Sequence, residues 1–169
     1  MIFISDHVSY NEVCRSYTAI RHGINNEPPT LVLNTIRETA RNIFEPVRNH
    51  FNKRIYISSF YRNPELNVLI GGSATSSHPM GEAIDIDADY YQEKLNDGTI
   101  LTNAMIFNWI RENLSFDQLI WEFGDDENCN WVHAAWRGLR NNRKQVLKSI
   151  RHFNDLKNKH ETIYLPYPN

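Results

Sequence analysis

Ser76-Ser77-His78-Pro79-Met80-Gly81-Glu82-Ala83-Ile84-Asp85 is the stretch on which the reading of this chain turns. It sets an imidazole, His78, in a turn containing Pro and Gly, and a carboxylate, Asp85, where apolar and acidic side chains begin to alternate. Ile84, Ile86 and Ala88 fall on one face and Asp85, Asp87 and Asp89 on the other, which is the period of a strand. Gly81 permits a tight backbone path between turn and strand. A second imidazole, His133, sits in the strand-like run Trp131-Val132-His133. Two His and one Asp form a three-ligand zinc set with a fourth position open, the pattern of a catalytic rather than a structural site. On spacing alone the same residues also fit a hydrogen-bonded His–Asp pair. Asp87 and Asp89 equally fit the solvated face of an edge strand.

Upstream, Val13, Tyr17 and Ile20 share one face of an expected helix from Asn11 to His22, with Gly23 to stop it. A polar loop containing Pro follows. A longer amphipathic helix is then expected, with Thr30 as N-cap and Leu33, Ile36, Ala40, Ile43, Phe44, Val47 and Phe51 at helical spacing. Pro46 should kink it. Ile55 to Ser59 reads as a strand, and Pro64 opens a short helix that stops at Gly71-Gly72. Downstream, a helix is expected over Leu101 to Leu114 and strands over Asp117 to Phe123 and Trp131 to Trp136. Beyond Gly138, Val146, Leu147 and Ile150 fit either a helix or a final strand, and residues 160–169 read as an extended tail. Helices first and strands later predict an α+β fold, with helices packed on an antiparallel sheet.

The 169 residues suit one domain, and a hydrophobic share of 41% excludes a mainly disordered chain. Lys and Arg number 18 against 20 Asp and Glu, a net charge of −2, which argues against generic nucleic-acid binding. No apolar run approaches the roughly 20 residues needed to span a bilayer, so no membrane insertion is expected. The N-terminal residues lack a basic region followed by an apolar one, so the chain is expected to be made in the cytoplasm without a secretory signal. Cys14 and Cys129 are then expected as free thiols.

Ser76-x-His78-x-x-Gly81-x-Ala83-x-Asp85 resembles the signature of the zinc D-alanyl-D-alanine carboxypeptidase family, whose fold is shared with the Hedgehog signalling domain. Ser58-Ser59-Phe60-Tyr61-Arg62-Asn63-Pro64 and the later Gly71-Gly72-Ser73 are similar to the segment before the signature in its phage and bacterial murein-peptidase branch. Ser16-Tyr17-Thr18-Ala19 with Gly23-Ile24-Asn25-Asn26-Glu27-Pro28 resembles that branch's N-terminal helix and loop. Leu119-Ile120-Trp121-Glu122-Phe123 and Trp131-Val132-His133 resemble its closing strands. The likeness runs from about residue 10 to 150 within a single domain spanning 1–169.

The resemblance implies a Hedgehog-like fold, Zn2+ held by His78, Asp85 and His133, and hydrolysis of an amide bond in peptidoglycan stem peptides. Either D,D-carboxypeptidase or L-alanyl-D-glutamate-type endopeptidase action fits, by a monomer. Arg62 stands at the motif arginine, suited to an oxyanion or a substrate carboxylate through its planar fork. Its other reading is a structural ion pair. Ser76 orients the loop or contacts substrate. Several relatives carry an acid three residues before the last ligand His, where this chain has Asn130. An amide is no general base near neutral pH, which makes Glu122 the nearest substitute, ahead of Asp125, Asp126 and Glu127. A phage endolysin that reaches the wall after release fits the absence of a signal. The competing class is a non-catalytic zinc-binding module of the same fold. Asn130 favours that class and Glu122 weighs against it.

Overall fold

The computed structural model describes residues 2–168. Its elements run α1 (Tyr10–Cys14), α2 (Tyr17–His22), α3 (Thr30–Thr39), a π-helical segment (Ala40–Phe44), α4 (Glu45–Phe51), β1 (Tyr56–Ser59), α5 (Pro64–Leu69), a 3-10 turn (His78–Met80), β2 (Ala83–Asp87), α6 (Asn103–Asn113), β3 (Gln118–Glu122), β4 (Trp131–Ala135), β5 (Gln145–Asn154) and β6 (Lys159–Pro166). The class is α+β, as expected.

The single helix expected over 11–22 is two short ones. Ser16 is the reason: its hydroxyl accepts from the Ala19 N–H and starts α2, while Ser9 and Glu12 form a capping box on α1. The long helix that follows is interrupted where Pro46 lies. Proline lacks an N–H and crowds the carbonyl four residues back, and here the π-helical turn Ala40–Phe44 immediately precedes α4, in whose first turn Pro46 sits. Thr30 is the first helical residue rather than the cap; Pro29 holds the cap position and offers no side-chain bond.

The sheet has six strands in the order β1-β2-β4-β3-β5-β6. It is mixed, not antiparallel as expected: β3 pairs with β5 in parallel, while the other neighbours are antiparallel. The loop after β4 carries the chain across β3 before it turns back, so β5 opposes β4 in direction and therefore runs alongside β3. The ambiguous segment after Gly138 thus resolves as a strand. Residues expected as a tail are extended, but as β6 they are hydrogen-bonded to β5 from Lys159 to Pro166 rather than free.

One sheet face is closed by the helices. Ile84 and Ile86 of β2, Leu119 and Trp121 of β3, and Val132 and Ala134 of β4 are buried there with Ile36, Ile43, Phe44, Ile106, Phe107 and Ile110. The opposite residues of the same strands, Asp85, His133 and Glu122, form the other face and are nonetheless buried. Cys14 and Cys129 are free thiols, and burial pushes Cys129 up to about 12. Among the described residues no helix is long and apolar enough to cross a membrane.

Candidate metal centre

Asp85 and His133 are directly opposed in the register of β2 and β4, so their side chains leave the sheet on the same side. His133 Nδ1 lies 2.8 Å from Asp85 Oδ1. His78 arrives from the 3-10 turn, with Nε2 at 3.2 Å from both Asp85 Oδ1 and His133 Nδ1. The three donor atoms fall within 4.8 Å of one another, and all three residues are buried. His133, some fifty residues downstream of His78 and Asp85, is thus brought to the two nearby ligands expected from the sequence.

The turn is held from several sides. Gly81 has φ +71, and a Cβ there would stand 2.6 Å from Ile36 Cγ1 and 2.8 Å from Val32 Cγ1, so α3 packs where a side chain would be. Thr39 Oγ1 donates to the Gly81 carbonyl at 2.8 Å. Arg137 donates to Glu82 and to Ser77 Oγ, bracing the signature from the loop after β4. Ser76 Oγ accepts from the His78 N–H at 3.4 Å, so its visible role is to shape the turn.

The donor set fits zinc. His78 Nδ1 is 2.6 Å from the Phe60 carbonyl, and since a carbonyl only accepts, the proton resides on Nδ1 and the Nε2 lone pair faces the centre. Burial lowers the His78 pKa despite nearby Asp85, which keeps the imidazole neutral as a ligand must be. Burial alone would raise Asp85, but the Arg62 guanidinium beside it holds its carboxyl well below the usual carboxylate range. One anionic oxygen between two imidazole nitrogens, in a buried site, matches His/His/Asp zinc ligation.

Arg62 Nη2 donates to Asp85 Oδ2, the oxygen turned away from His133, and Nε donates to Ser59 Oγ at 2.9 Å. The guanidinium thus orients Asp85 directly. Its Nη1 has no hydrogen-bond partner among the described residues. Arg62 is itself placed by Asn26, whose amide donates to the Cys14 and Tyr61 carbonyls and accepts from the Asn63 N–H. Arg62 and Arg15 line one pocket of about 250 Å³, linked to the cluster through the Arg62 contact with Asp85.

Glu122 is on the same face, one strand beyond His133, and buried. Burial raises its pKa against the hydrogen bond that Ser149 Oγ donates, and the charges of His133, Asp85 and Arg62 act on it. Asn130 is exposed; its backbone N–H donates to the Glu122 carbonyl. Asp125 caps its own loop by accepting from the Glu127 and Asn128 N–H groups, and Asp126 pairs with Lys148. These acids stand apart from the buried cluster. Asp89 is no simple solvated residue, since Asn103 and Asn128 both donate to it.

Sequence reasoning missed Asn26, Arg137, Ser149 and Asn103. Their signal is a polar side chain in an otherwise ordinary segment, whose partner lies tens of residues away.

A family model described as Peptidase M15 matches residues 6–104. The match contains Arg62, His78 and Asp85 and ends before Glu122 and His133. No curated protein matches the chain. With more than half of its length in that match and a buried His–Asp–His group suited to a metal ion, the chain belongs to the peptidase M15 family, whose members are zinc metallopeptidases.

Proposed function

We propose that this protein is a zinc peptidase, one domain spanning 1–169 with a Hedgehog-like fold, that hydrolyses an amide bond in peptidoglycan stem peptides. D,D-carboxypeptidase and L-alanyl-D-glutamate-type endopeptidase action are the two forms of that reaction, and a phage endolysin is the setting. The observation that carries the reading is Glu122: a buried carboxylate shares the sheet face of Asp85 and His133 where Asn130 offers no acid.

Zinc, when held by His78, Asp85 and His133, supplies Lewis acidity and lowers the pKa of water toward about 7. Glu122 takes a proton from the attacking water at its carboxylate and passes it to the leaving amine. Its raised pKa suits both halves of that transfer, because a poorly solvated carboxylate is the stronger base. Arg62 fixes Asp85 through Nη2 and keeps Nη1 for a substrate oxygen. The Arg15–Arg62 pocket, joined to the ligands through Arg62, gives an anionic part of the peptide a place. Ser76 shapes the turn that presents His78.

The competing reading, a non-catalytic zinc module, leaves a buried glutamate beside the ligand cluster without a purpose. Digestion of purified murein, with the released amino acids and new peptide termini analysed, separates the two. Release by the native chain and none by Glu122→Gln, at equal zinc content, supports the peptidase. No release by a fully zinc-loaded native chain supports the module.

A further inference from the structure

The C-terminal hairpin adds a residue to this site. Trp131, Glu122, Ser149 and Tyr164 are successive cross-strand partners through β4, β3, β5 and β6. Partners in register project to the same side of a sheet, so Tyr164 shares the face of Glu122, His133 and Asp85. The middle member, Ser149, is fully buried and short, and its hydroxyl is directed at Glu122 Oε2 at 2.5 Å. Nothing long stands between Tyr164 and the acid, and two strand spacings of about 4.8 Å each separate their backbones. Tyr164 is 48% exposed while its neighbours Glu122 and Ser149 are buried, so it stands at the rim of the site and remains open to solvent. Its hydroxyl has no hydrogen-bond partner among the described residues.

We infer that Tyr164 is a substrate-contacting residue of the proposed site, whose phenol donates a hydrogen bond to the oxyanion formed when the scissile carbonyl is attacked. This rests on the peptidase reading above. The phenol remains an O–H donor across the working range, because burial and the nearby Glu122 and Asp85 carboxylates raise its pKa while Arg62 offsets them only in part. An oxyanion donor acts on charge that develops in the transition state, so its loss falls on turnover rather than on substrate affinity. It also gives the hairpin a function. β6 lies outside the residues matched by the family model and completes the site from the far edge of the sheet.

Tyr164→Phe tests this, since it removes one oxygen and keeps the ring. The variant should melt within a few degrees of the native protein and hold equal zinc. Its kcat on a stem-peptide substrate should fall about 10–100-fold with KM within about twofold. Its affinity for a phosphinate dipeptide, a tetrahedral anion that mimics the attacked carbonyl, should fall about tenfold. Native affinity for the phosphinate in the variant overturns the assignment, whatever the substrate. If the native chain fails to cleave stem peptides yet the phosphinate still distinguishes it from Tyr164→Phe, Tyr164 stands as the donor and the wall substrate is wrong.

Discussion

Ser149 Oγ donates to Glu122 Oε2 at 2.5 Å, joining a fully buried hydroxyl on β5 to the acid beside the ligand cluster. The bond opposes the rise in Glu122 pKa that burial causes. If Glu122 is the general base, Ser149→Ala should move the acid limb of the kcat/KM profile to higher pH while leaving zinc content unchanged. A pH–rate profile that does not move in Ser149→Ala separates Ser149 from the chemistry.

His78→Ala, Asp85→Ala and His133→Ala should each lower zinc occupancy and abolish activity, because each removes one of three donors that lie within 4.8 Å of one another. Metal analysis after dialysis against limiting zinc checks this. The native chain should hold about one zinc. Full occupancy in all three variants would sink the ligand set.

Arg62→Lys should leave zinc bound but slow the reaction. Lysine keeps the charge yet cannot reach Asp85 Oδ2 and Ser59 Oγ together while leaving a third donor free. Steady-state kinetics at saturating zinc read the effect, and unchanged kcat/KM would confine Arg62 to a structural role.

Asp117 predicts the acid stability of the fold. Its side chain is fully buried, and burial alone would raise its pKa; bonds from Arg143 Nε at 2.7 Å and Nη2 at 2.6 Å lower it instead. A depressed folded-state pKa contributes stability that is present above the unfolded value, about 3.9, and is lost as pH falls through the folded one. Asp117→Asn should cost about 1–3 kcal/mol at neutral pH and flatten the decline in melting temperature on acidification. An unchanged acid limb in the variant would show that other carboxylates govern it.

What the sequence disclosed was local. His78, Gly81 and Asp85 lie within one turn and strand, and the alternation through Ile84 and Ile86 sets Asp85 on the face that β4 then shares with His133. The α+β class follows from the same periodicities. What stayed hidden was set by distance along the chain. Nothing near Asn26 says that it holds the carbonyl of Tyr61, and nothing near Arg137 says that it braces Ser77 and Glu82. The parallel pairing of β3 and β5 arises because the chain crosses one strand before turning back, a choice that strand patterns do not record. Tyr164 lay in a segment read as a tail, since the polar and Pro-containing end of the chain hid the partner strand that makes it an edge of the sheet.

The central claim is that the site formed by His78, Asp85, His133 and Glu122 cuts the peptide part of the bacterial wall. Mass spectrometry of muropeptides before and after digestion tests it most directly, with native protein and Glu122→Gln matched for zinc. The account predicts a new pair of peptide termini at one bond of the stem, formed by the native chain and at least about 10²-fold more slowly by the variant. Muropeptides left intact by the fully loaded native chain, or cut equally fast by Glu122→Gln, would contradict it.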